Sequence, residues 1–236
     1  MDKVLNQLVE RLEKAFGERL VSVVLFGSAA ADDHHGRFSD FNILCVLTTI
    51  TPRELADSEP VFRWWRGQGN PAPLLLSRQE VETATDCFAI EFHDIKSCYR
   101  ILRGEDLVAA LSLDDKFYRA QVEHELRAKL LRLRQKASGV LSDPELLRRL
   151  LLDSISTFCV LFRHALVLRG AEPKFRKREV IGQAREIFGI DAAPFEKILD
   201  VREQRARPKD LDPLPVFEQY LKQISVVIDA VDSLEQ

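Results

Sequence analysis

The chain has 236 residues, of which 46% are apolar and 30% charged, and a formal net charge of −3. That length allows one large domain or two modest ones, each with its own core. A slightly acidic balance excludes general nucleic-acid binding as an expectation, and the composition is ordinary for a soluble globular protein.

The charge is uneven along the chain. Residues 1–113 carry 12 Lys and Arg against 17 Asp and Glu, whereas residues 114–236 carry 22 against 20. An acidic first half suits a cation site, and a mildly basic second half suits contacts to an anion. The apolar stretch 150–168 is interrupted by Asp153, Arg163 and His164, so no membrane span is expected. The first eleven residues mix charges of both signs, unlike a signal peptide. Four cysteines, at 45, 87, 98 and 159, lack metal-site spacing. With Cys45, Cys87 and Cys159 in apolar surroundings, they read as free thiols of a cytoplasmic protein.

Leu5, Leu8, Val9, Leu12 and Phe16 recur at helical spacing, and Gly17 stops that first helix. Residues 21–26 form a β-branched and aromatic run, as a central strand requires. A second apolar strand follows a polar loop. Thr51-Pro52 then starts a helix that reaches Trp65, with a break expected at Pro60. Residues 74–76 read as a short strand, and Ser77 with Glu80 has capping-box spacing. Alternation over 87–94 predicts another strand, and 99–102 a further one, making about five in all.

From residue 114 onward the strand signals stop. Helices are expected over 115–136, from Asp143-Pro144 to Gly170, over 178–188, over 194–205 and over 216–234. The boundary between the α/β region, 1–110, and the helical bundle, 114–236, falls within 104–114.

The chemistry concentrates between the first two strands. Val21-Ser22-Val23-Val24-Leu25-Phe26 leads into Gly27-Ser28, and after the loop Ser39-Asp40-Phe41-Asn42 opens the second strand. A Gly-Ser turn can hold a phosphate, and an acidic strand start can hold the cation that neutralises it. Strand periodicity puts Asp40 and Asn42 on one face. If 87–94 is a strand with Phe88, Ile90 and Phe92 on its apolar face, Glu91 joins the polar face and Asp94 points away.

This arrangement resembles the polymerase-beta-like nucleotidyltransferase superfamily, and especially the bacterial aminoglycoside adenylyltransferases. The departure is Asp40-Phe41-Asn42, where the family usually has Asp-x-Asp. The resemblance covers residues 20–95 by motif and the helical half by layout only. It implies an α+β fold: a mixed sheet with helices on one face, then an all-helical bundle. It also implies Mg²⁺-dependent transfer of a nucleoside monophosphate from ATP or another nucleoside triphosphate to a hydroxyl. The acceptor would be a small molecule or a protein, bound in a cleft between the domains, and a homodimer is left open.

By that resemblance Asp40 and Glu91 are catalytic, and Asp40, Asn42 and Glu91 are the metal ligands. Gly27, Ser28 and Ser39 would contact the nucleotide, with Lys174 and Lys177 from the basic cluster 174–178 reaching its phosphates. Asn42 brings no charge to a site that favours carboxylates. The alternative is therefore a degenerate nucleotide-binding or regulatory module, antitoxin-like in kind. Asp32, Asp33, His34 and His35 are weaker candidates, read as solvated loop residues.

Overall fold

The computed structural model describes residues 2–30, 41–113 and 115–234. They form two compact units, Met1–Phe117 and Tyr118–Gln236. The fold class is the expected one, a mixed sheet with helices followed by helices alone, except that helices cover both faces of the sheet rather than one.

In the first unit β1 (Leu20–Phe26) pairs antiparallel with β2 (Asn42–Leu47) on one side and with β4 (Tyr99–Gly104) on the other. A short β3 (Leu74–Ser77) adds to β2 in parallel, giving the order β3-β2-β1-β4. With both edges paired, β1 satisfies its backbone groups within the sheet and can be apolar throughout. Val23 and Leu25 of β1 and Ile43, Cys45 and Leu47 of β2 face one core. That core is completed by Leu5, Leu8, Leu12 and Phe16 of α1 (Asp2–Phe16) and by Val61 and Trp65 of α2 (Pro52–Gly67). Val24, Phe26, Leu44 and Val46 face the other, against Val81 of α3 (Arg78–Thr83), Phe92 and Ile95 of α4 (Ala89–Ser97), and Val108 and Leu111.

Two expectations are corrected. First, α2 runs through Pro60 without a break. Thr51 and Glu54 form a complete capping box at its start, and Val61 and Trp65 bury its far half. Pro60 is exposed, so the Ala56 carbonyl that it leaves unbonded faces the solvent side. Second, residues 89–97 are helical, and the described sheet has four strands. Alternation at 88, 90 and 92 misled because a competing spacing of three was also present. Ala89, Phe92 and Ile95 are buried against the sheet, while Phe88 is 47% exposed. Cys87 is likewise exposed, not packed in apolar surroundings.

Charge ties the end of α1 to the start of α2. Arg19 donates to the Phe16 and Ala15 carbonyls at 3.3 and 3.1 Å, to Asp57 at 2.7 Å, and to Glu54. Glu54 also accepts the Thr51 N–H at 3.0 Å. Gly104 closes β4 at φ +83, where a Cβ would lie 2.0 Å from the Val21 carbonyl oxygen. No side chain fits there without moving the central strand.

The second unit is built round α6 (Pro144–Leu168), which is in contact with α5 (Tyr118–Ser138), α7 (Lys177–Phe188), α8 (Ala193–Arg202) and α9 (Pro213–Asp232). Phe158 and Phe162 of α6 meet Phe195 and Tyr220 in a chain of edge-to-face contacts at 5.1–6.5 Å. By length and composition α6 alone among the described helices qualifies to cross a bilayer, despite Asp153, Arg163 and His164. Here it is the core helix of a bundle. Leu126, Leu130 and Leu133 form a buried stripe of α5.

Hydrogen bonds from Thr51 and Arg19 hold the Glu54 carboxyl down at about 2, well under its ordinary value of 4.5. A depressed carboxyl stabilises the fold above the ordinary value, and that contribution is lost as the pH falls through the depressed one. The difference in urea midpoint between wild type and Glu54→Gln is therefore expected to be full above about pH 5 and to shrink toward pH 2.

Candidate functional site

β1 leaves the sheet at Gly27, whose φ of +76 is open to glycine and strained for other residues. The Gly27 N–H donates to the Cys98 carbonyl at 3.0 Å, so the turn is pinned to the junction of α4 and β4. Gly27–Ala29 then forms one 3-10 turn, with the Ala30 N–H donating to the Gly27 carbonyl at 2.9 Å. Ser28 is half-buried and makes no side-chain hydrogen bond among the described residues. Its hydroxyl and N–H are thus available where the Gly27 N–H is not.

Opposite this turn, Asn42 is the strand partner of Phe26. Its amide nitrogen lies 3.3 Å from the position a Cβ on Gly27 would occupy. The sheet register therefore brings Gly27 and Asn42 together, with Ser28 next in the turn. Phe41 points to the opposite face, as periodicity requires, and stacks on Trp65 at 6.0 Å. Its N–H donates to Asn70 Oδ1 at 3.2 Å. Sequence reasoning missed Asn70, which follows Gly69 in a turn and carries no motif.

Asp40 and Ser39, with Asp32, Asp33, His34 and His35, lie outside the described residues. Glu91 is exposed in the first turn of α4. One residue from Phe92, it sits about 100° round the helix from the buried face. The strand parity that selected Glu91 over Asp94 does not apply on a helix, and Asp94 has interactions of its own. What survives is the location: α4 packs against the Gly27–Ala29 turn and covers the sheet face that Asn42 shares. Among the described residues no three His, Cys, Asp or Glu side chains converge as a metal site. Asn42 offers an amide oxygen, a ligand suited to a hard cation but uncharged.

In the second unit the basic cluster divides. Arg176 pairs with Glu179 at 3.8 Å, and Arg178 with Asp200 at 2.6 Å and Glu203 at 2.9 Å. Lys174 and Lys177 are half-buried and have no carboxylate partner among the described residues. Burial pushes the Cys45 and Cys159 thiols up to about 12, which rules out either as a thiolate nucleophile near neutral pH. Trp65 is fully buried and Trp64 packs beneath the Arg11 guanidinium at 4.3 Å, so both are used in packing. Arg119 is committed to Glu123 at 2.9 Å on its own helix.

The fold is shared with a solved adenyltransferase structure. A solved structure of spectinomycin adenyltransferase AAD(9) from Enterococcus faecialis, with ATP and spectinomycin, is similar over 98% of this chain and 99% of its own, at a TM-score of 0.59 and 15% identity. No protein-family model matches the sequence, and no curated protein matches it. The likeness is one of backbone.

Replacing Gly27 by alanine forces a side chain into the left-handed region and crowds Asn42. A loss of about 1–2 kcal/mol in urea unfolding is expected, with the far-ultraviolet spectrum unchanged.

Proposed function

We propose that the protein transfers a nucleoside monophosphate, from ATP in the first instance, to a hydroxyl of a small molecule or a protein side chain. The support is a single combination. A fold shared end to end with an adenyltransferase carries, at the end of its central strand, a Gly-Ser turn whose glycine lies beside a strand-opening polar residue.

In this reading Ser28 and Ser39 bind the triphosphate through hydroxyl and backbone N–H groups, and Gly27 lets the backbone approach it. Lys174 and Lys177 are assigned as further nucleotide contacts, as ammonium groups suit phosphate oxygens. Asp40, Asn42 and Glu91 would hold Mg²⁺, which when bound neutralises phosphate charge and favours in-line displacement. The acceptor oxygen attacks the α-phosphorus, pyrophosphate leaves, and a carboxylate on α4, Glu91 in this assignment, takes the hydroxyl proton. Four free cysteines agree with a reducing, cytoplasmic setting.

One observation favours a second reading. Asn42 occupies a position where the related motif has a carboxylate, which suits a module that binds nucleotide and regulates a partner without turnover.

Pyrophosphate release from ATP and Mg²⁺, with a panel of hydroxylated acceptors, separates the two. The enzyme reading expects release by wild type and a loss of about 100-fold or more in Asp40→Asn and Glu91→Gln. Asp94→Asn serves as the control on the same helix. Equal rates in wild type and Glu91→Gln would remove Glu91 from the site. Calorimetry with ATP and Mg²⁺ on wild type and Asn42→Asp tests the missing charge. Tighter binding and faster release in Asn42→Asp are expected for an enzyme with a weakened metal site. Nucleotide heat without release in either protein selects the regulatory module.

A further inference from the structure

The chain entering β2 runs past the end of its parallel neighbour. β2 and β3 first pair at Leu44 and Leu74, so the backbone ladder on that edge stops short of Phe41. Phe41 is buried, and a buried backbone N–H must find an acceptor. It finds a side chain: the Phe41 N–H donates to Asn70 Oδ1 at 3.2 Å. Asn70 stands in for the strand carbonyl that β3 does not supply there.

Asn70 is half-buried and is held by its own neighbours. Gly69 precedes it at φ +88, a left-handed conformation that turns the chain after α2. Pro71 and Pro73 follow, each with a ring that fixes its φ, and Pro71 disfavours helical backbone at Asn70. The arm 70–73 that leads into β3 is therefore stiff.

What the bond fixes is the opening of β2. The Phe41 ring lies on the core side against Trp65 at 6.0 Å, and side chains alternate along an extended chain. Asn42 is thereby turned to the face with Gly27, its amide nitrogen 3.3 Å from where a Cβ on that glycine would lie. The Asn42 amide makes no hydrogen bond of its own among the described residues. Its position is set by the backbone: by Phe26 across the ladder and by the Phe41 peptide just before it.

We propose that Asn70 is a positioning residue: by accepting the Phe41 N–H it fixes the strand opening that carries Asn42, and with it the metal-dependent part of nucleotide binding. The inference rests on the reading of Asn42 as a Mg²⁺ ligand. Asn70 acts through the Phe41 backbone and not through contact with the ligand.

The test measures ATP affinity by calorimetry on the full chain, once with Mg²⁺ and once with a chelator in its place. The proteins are wild type, Asn70→Ala, Asn70→Asp and Gly69→Ala. Removing the acceptor leaves a buried N–H without a partner, so Asn70→Ala is expected to weaken ATP about tenfold in Mg²⁺. The metal-free affinity, assigned to the Gly27-Ser28 turn, should be unchanged. Asn70→Asp keeps an acceptor oxygen and should return to within about threefold of wild type. Gly69→Ala leaves Asn70 intact but strains the turn that presents it, where the added Cβ meets nothing within 4 Å. It should repeat the loss in Mg²⁺, and it carries the test if thermal unfolding shows that Asn70→Ala does not fold. Hydrogen exchange at the Phe41 amide reads the bond without any ligand: slow in wild type and Asn70→Asp, fast in Asn70→Ala.

Equal losses with and without Mg²⁺ would mark a purely structural residue and overturn the inference. Unchanged affinity in Asn70→Ala, no recovery in Asn70→Asp, or a fast-exchanging Phe41 amide in wild type would overturn it too. If wild type itself binds ATP no better with Mg²⁺ than without, the metal reading of Asn42 fails, and the positioning role fails with it.

Discussion

Everything in the first unit depends on β1 being hydrogen-bonded along both edges and packed on both faces. A strand so enclosed cannot end gradually, because any unpaired backbone group at its end would be buried. It ends by turning at Gly27, with the one N–H in question given to the Cys98 carbonyl. The same register that encloses β1 sets Asn42 opposite Phe26. Thus the sheet, before any ligand is considered, determines that a left-handed glycine, a serine whose hydroxyl is unengaged among the described residues and a polar strand-opening residue share one end of the first unit.

The second core supplies a different kind of constraint. Helix α4 is short and exposed on its outer side, and it is held by Ala89, Phe92 and Ile95. Lys96 donating to the Leu111 carbonyl and His93 Nε2 bonded to Asp115 at 2.6 Å attach it to the segment that closes the unit. A carboxylate on such a helix can be oriented by packing toward a sheet end without belonging to the sheet. On the proposed reading, a proton acceptor is therefore to be sought by position round α4 rather than by strand parity.

In the second unit, the basic cluster is sorted by pairing. Arg176 and Arg178 are offset by carboxylates, whereas Lys174 and Lys177 have no carboxylate partner among the described residues. Sequence composition shows one basic cluster, while the structure resolves it into structural and available cations.

Read from the sequence, helix caps were dependable. Thr51 with Glu54 and Ser77 with Glu80 both form capping boxes, because these bonds involve residues three apart and need no tertiary context. The central strand and the Gly27-Ser28 turn were legible for a similar reason: an apolar run interrupted only by Ser22 and ending in glycine has few other solutions. Tertiary packing decided the rest. It carried α2 through Pro60, since burial of Val61 and Trp65 outweighs one missing backbone bond, and it made residues 89–97 helical. There the local pattern fitted both a strand and a helix, and only the sheet face waiting to be covered chose between them.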